Sequence, residues 1–188
     1  MISLGALAGV AAPASFITAW VVGGARTPGY SPVRDHISDL AAVGAPTRPL
    51  MTAGLLGFSA FAPLFARHLA ASLDRPALRV SLTTAAAATL GVAAFPLEGP
   101  LGTGPHAAAA AVSYLAMSSN PLLAAGALRS AGHHRLAAVA VATGLAGGAL
   151  LARSLAGEQQ GLFQRLGLTT LDGWLIGMAV RDLRRKAN

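Results

Sequence analysis

LGALAGVAAPASFITAWVVGG, Leu4 to Gly24, runs 21 positions without a charged residue. Coiled as an α-helix it rises about 31 Å, which is the thickness of a bilayer's hydrocarbon core. Trp20 near its end suits the headgroup layer. No basic stretch stands ahead of it, so it reads as a first membrane helix rather than a cleaved signal.

Working outward, five further apolar blocks follow: Leu50 to Leu69, Val80 to Phe95, Pro105 to Leu128, Leu136 to about Ala152, and a last one centred on Leu166 to Val180. Pro63 interrupts the second block, as membrane helices tolerate. Pro96 closes the third, whose Ala, Thr and Ser content makes its hydropathy marginal, and Pro105 suits the first turn of the fourth. The expected fold is all-α: a polytopic membrane protein over residues 1–188, one transmembrane domain. It forms an up-and-down bundle of six helices near 4–24, 50–69, 80–95, 105–128, 136–152 and 164–180.

The composition agrees. Hydrophobic residues make up 54% and charged residues 11%, against the 25% or so of charge that a water-facing domain carries, so lipid is the fitting solvent. The net charge of +7 does not point to nucleic acid, because the bases stand singly or in short runs between apolar blocks. No Gly-rich loop followed by Lys is present, which argues against a nucleotide site. Without cysteine there is no disulfide, thiolate metal site or cysteine nucleophile.

The bases also set orientation. Arg67, Arg75, Arg79, Arg129, Arg135, Arg181, Arg184, Arg185 and Lys186 fall at one end of the bundle, and Arg26, Arg34, Arg48, Arg153 and Arg165 at the other. The richer end is expected to be cytoplasmic, which puts both termini inside. Three glycine pairs at four-residue spacing, Gly5 and Gly9, Gly144 and Gly148, Gly173 and Gly177, are expected to let neighbouring helices approach closely.

The acidic and imidazole groups gather toward the outer end. In the first loop, Thr27 to Pro46, a short helix would put Asp35, His36 and Asp39 on one face, either to cap and pair with Arg34 or Arg48 or to bind a ligand. Glu98 and His106 flank a Gly and Pro loop. His106, Ser113 and Asn120 follow at seven-residue spacing along one face of the fourth helix, and Asn120 needs a partner. Asp172 lies deep in the sixth helix, where a carboxylate must be paired or hydrated. Arg165 two turns away is one partner, and Thr169 and Thr170 are possible donors.

GYSPVRDHISDLAAVGAP (29–46), FPLEGPLGTGPH (95–106) and GLFQRLGLTTLDGW (161–174) resemble three signatures of the family numbered 998 among domains of unknown function, DUF998. The Ile37–Leu40 run, the Phe95-Pro96 pair followed by His106, and the Gln164-Arg165 pair fall in that family's order; Glu98 stands where members often carry Asp. The resemblance covers nearly the whole chain. It implies about six membrane helices and a prokaryotic plasma membrane, and names no reaction.

The expected site is therefore an outer pocket of His36, Asp39, Glu98, His106, Arg165 and Asp172, binding a lipid-like or small polar ligand amid membrane lipids. As a hydrolase, its catalytic candidates are His106, Asp39 and Glu98. His36, Asp39, Glu98 and His106 would be the ligands of a possible divalent metal, with Arg165 stabilising developing negative charge. As a transporter, Asp172 and Asn120 would line the route. As a structural or sensory subunit, the small-residue faces would recruit a partner.

Overall fold

The computed structural model describes residues 3–187, with side chains described to residue 185. Lys186, one of the bases used for orientation, lies outside the described side chains.

Six α-helices follow in order: α1 (Leu4–Arg26), α2 (Arg48–Ser72), α3 (Pro76–Ala94), α4 (Gly104–Ser130), α5 (His134–Arg153) and α6 (Gln160–Ala187). A 3-10 turn, Ile37–Ala41, lies in the loop between α1 and α2. Local chemistry sets the boundaries. The Ser3 hydroxyl accepts the Ala6 N–H at the start of α1, and a proline occupies the first turn of α2, α3 and α4. Gly132 adopts φ 78° in the tight connection from α4 to α5, a conformation that only glycine takes without strain.

Each helix packs on the next in sequence, and α6 packs back on α1, so the six form a closed ring. Phe65, Met51, Leu69, Leu82, Leu128, Leu171, Leu175 and Met178 fill its interior. The outside is apolar too: Leu4 is 82% exposed, Leu115 73%, Val80 66% and Leu145 60%. A helix that is hydrophobic on both faces belongs in lipid. Among the described residues, four helices (α1, α2, α3 and α5) are long and apolar enough to cross a membrane. The third helix thus exceeds its marginal expectation, because it begins at Pro76 and takes in Leu78. α4 and α6 are longer, at 27 and 28 residues, but carry most of the buried polar groups.

Two of the glycine pairs work as expected. A methyl at Gly5 would come within 2.7 Å of His68 and one at Gly9 within 2.6 Å of the Phe65 ring, so α1 and α2 touch through them. Gly144 and Gly148 face Leu122 and Ser118 of α4 in the same way. The third pair is a correction: Gly173 and Gly177 are exposed with open space above them, because α6 turns Leu171, Trp174, Leu175 and Met178 inward instead.

Candidate functional site

The loop from α1 to α2 folds over one end of the ring and is tied there from several sides. Val43 N–H donates to the Leu97 carbonyl (3.0 Å) and Leu162 N–H to the Val33 carbonyl (3.0 Å). The main fastener is Arg165, 8% exposed. Its Nη1 donates to the carbonyls of Pro32 (2.7 Å), Asp35 (3.0 Å) and Gly161 (2.9 Å), and its Nη2 to the Tyr30 hydroxyl. The guanidinium also lies over the rings of Tyr30 (5.3 Å) and Trp20 (5.5 Å). Gly161 leaves room for this approach, since a Cβ there would collide with the Asp35 carbonyl. Tyr30 passes the tie on by donating to the His36 carbonyl (2.9 Å). Burial raises the Tyr30 hydroxyl above its ordinary pKa, and Arg165 opposes that rise. The expected Arg165–Asp172 pair is not formed: the guanidinium is spent on the loop, whose carbonyls lie at the helix's entry.

The acids of the loop cap it. Asp35 Oδ2 accepts from the Ser31 N–H (2.6 Å), and Asp39 Oδ2 accepts from the His36 N–H (2.8 Å) at the start of the 3-10 turn. Of the two readings offered for this triplet, capping is the one the geometry fits. The expected face shared by Asp35, His36 and Asp39 does not form, since only Asp39 lies within the five-residue turn. His36 instead turns its Nε2 to the Ser154 carbonyl (3.2 Å) at the end of α5.

His106, in the first turn of α4, is 5% exposed. Its Nδ1 lies 2.8 Å from the Phe95 carbonyl, which only accepts, so Nδ1 carries the proton. Its Nε2 then presents a lone pair to the Ser38 hydroxyl, 3.1 Å away. Beside this pair, the Gln164 carboxamide accepts the Ile37 N–H (2.7 Å) and donates to the Tyr114 hydroxyl (2.7 Å).

These four side chains stand at the polar end of a groove of about 430 Å³ between α4 and α5, with His36 beside them. Its walls are apolar: Ala107, Ala111, Leu115, Leu151, Ala152 and Leu155. Leu115 and Leu155 are 73% and 74% exposed, so the groove opens on the outer surface of the ring. On the other side of Tyr114 and Gln164 lies an inner cavity of about 60 Å³, room for a few waters. Asp172 lines it together with Ser38, Thr89 and Ser113, the last two linked hydroxyl to hydroxyl at 3.2 Å. Asp172 is 1% exposed and its Oδ2 has no protein partner; the Thr170 hydroxyl bonds the Leu166 carbonyl instead. Asn120, 0% exposed, accepts the Trp174 indole N–H on its Oδ1 (3.3 Å), while its Nδ2 has no protein partner.

The expected site is thus only partly assembled. His36 and His106 line one groove, Arg165 fastens its roof, and Asp172 lies in the separate inner cavity. Asp39 and Glu98 are exposed, Glu98 at a left-handed corner with φ 60°. The four proposed metal ligands are not gathered, and among the described residues no group of three or more His, Asp or Glu can hold a metal ion. His106 is committed through both nitrogens and Asp39 through its capping bond, which is why neither meets the other. Sequence reading missed Ser38, which stands inside the Ile37–Leu40 run as one more loop serine, and Tyr30. It also missed a relay at the opposite end, where His68 bonds the Ser3 hydroxyl (3.2 Å) and the Asp182 carboxylate (3.1 Å), joining α1, α2 and α6. Isolated polar residues at the ends of apolar helices were the available signal there.

No curated protein and no solved structure matches the chain. The family described as Protein of unknown function (DUF998) matches residues 10–181, nearly the full length, and the chain belongs to that family.

Proposed function

We propose that this is a membrane protein of six crossings, with both termini cytoplasmic, in a prokaryotic cell membrane, whose groove between α4 and α5 binds a single-chain amphiphile. The reading that α4 and α6 join the four apolar helices as spans is supported by the burial of His106, Ser113, Asn120, Gln164 and Asp172, with Gln164 donating to the Tyr114 hydroxyl and the Trp174 indole to Asn120. The observation that carries the binding reading is the groove's polarity gradient. Its exposed side is alkyl, and its inner end holds Ser38, His36, His106, Tyr114 and Gln164. Its volume of about 430 Å³ falls within the ~300–1,000 Å³ of small-ligand sites. Among the described residues no Lys or Arg lines it, so the fitting head is neutral and hydrogen-bonding, such as an ester or alcohol.

Gly148 gives the test. A methyl there makes ordinary contact with the Ser118 side chain (3.4 Å), but a longer side chain fills the groove. A monoacylglycerol carrying a diazirine in its chain, added to the protein in nanodiscs, is expected to crosslink around Ala111, Leu115 and Ala152. Gly148→Ala should keep that labelling and Gly148→Leu should lose it. Labelling spread evenly round the ring, and indifferent to Gly148→Leu, refutes the groove as a site.

A further inference from the structure

We infer that Ser38 and His106 are a nucleophile and its general base, and that the groove hydrolyses single-chain acyl esters; this rests on the groove reading above. The geometry is that of an activated serine. Nδ1–H of His106 is anchored on a backbone carbonyl, which fixes ring orientation and tautomer as a buried carboxylate does in a serine triad, and Nε2 faces the Ser38 oxygen at 3.1 Å. The pair is well placed for selective chemistry. His106 is buried, Ser38 lines both the groove and the inner cavity, and an acyl chain along Leu115 and Leu151 would bring its ester to the Ser38 hydroxyl.

Two donors face the same space. The Tyr114 hydroxyl accepts from Gln164 and so keeps its own proton to donate, while Gln164 Nε2 has a second N–H beyond the one given to Tyr114. Both are candidates to receive the negative charge that develops on the ester oxygen. The step balances. Ser38 Oγ bonds to the ester carbon as its proton passes to His106 Nε2, and collapse expels the alcohol, which takes that proton. Water then attacks the acyl-Ser38, giving its proton through His106 back to Ser38 Oγ and releasing the fatty acid. Water reaches the pair from the inner cavity or from the loop's solvated side.

The experiment uses the full chain in detergent with a long-chain alkyl fluorophosphonate, which transfers its phosphonyl group to an activated serine with loss of fluoride. The expected result is one adduct per chain, mapped by peptide mass spectrometry to Ser38. It should be absent in Ser38→Ala and slowed at least about 100-fold in His106→Gln, the usual scale of general-base help. Acid-quenched wild-type protein given p-nitrophenyl decanoate should carry the decanoyl group on Ser38. Mapping in the wild type decides the matter even if a variant does not fold. No adduct on Ser38, with the diazirine lipid still labelling the groove, overturns the hydrolase and leaves the binding reading standing; loss of both signals overturns both. An adduct that forms equally fast in His106→Gln overturns the base.

Discussion

Replacing Arg165 by Lys keeps the charge and removes the fork, and the structure says what that costs. The guanidinium serves four acceptors, three of them backbone carbonyls approached by one nitrogen and the fourth a hydroxyl approached by the other. A lysine ammonium is a single point with three donors on a different stem length, so at least two of those acceptors lose their partner. Each polar group orphaned in a buried site costs about 1–3 kcal/mol, and the weakened stacking on Trp20 and Tyr30 adds ~0.5–1 kcal/mol. The expected destabilisation is therefore about 2.5–7 kcal/mol, a large share of the ~5–15 kcal/mol by which folded proteins typically exceed their unfolded chains. Thermal unfolding in detergent measures the whole. Hydrogen exchange of residues 30–36 measures the part, since their amides should exchange much faster once the loop is unfastened. A variant within about 0.5 kcal/mol of wild type, the range of ordinary surface changes, with loop exchange unaltered, would refute the clamp.

Three other outcomes follow from the same geometry. Asp172→Asn removes an ionisable carboxyl whose buried Oδ2 has no protein partner and is expected to raise stability in thermal unfolding by up to ~2.5–3.5 kcal/mol, the cost of a charge at the centre of a membrane helix; a loss would mean that something compensates the carboxyl. Gly9→Leu drives a side chain into the Phe65 ring and should cost at least ~1–3 kcal/mol, while Gly173→Ala on the open face of α6 should fall within about 0.5 kcal/mol of wild type; equal effects would overturn the assignment of contact faces. Burial raises the Tyr30 pKa in the folded chain, so the unfolded chain gives up this proton first and the stability contribution is lost as pH climbs from the ordinary tyrosine value of 10.0 through the raised one. Tyr30→Phe should flatten that alkaline decline, and melting curves across the range that keep the wild-type slope would remove Tyr30 as its source.

What sequence alone could tell divides along physical lines. Helices were legible because lipid imposes a simple demand, a long apolar run, and each expected block has its helix, the last extended at both ends to Gln160–Ala187. The inward face of α4 was legible from seven-residue spacing, and His106, Ser113 and Asn120 are all buried. Arg165 could be singled out, but not its partners: backbone carbonyls carry no residue signature, so Asp172 was the natural and mistaken choice. Charge misled in the same way at Asp39 and Glu98, which a wet loop end tolerates in the open. Ser38 was hidden because the histidine it faces lies 68 positions away.

The clamp also bears on how the protein is made. Arg165 lies some 130 positions after the loop carbonyls it grips, those of Pro32 and Asp35, so during synthesis the early loop must wait for this clamp until the final segment leaves the ribosome. Until then the loop is held only by partners made earlier, such as the Leu97 carbonyl that accepts the Val43 N–H and the His106 ring against Ser38. The last helix to be made is therefore the one that locks the first loop in place, and the ring closes and the loop is clamped in the same late step.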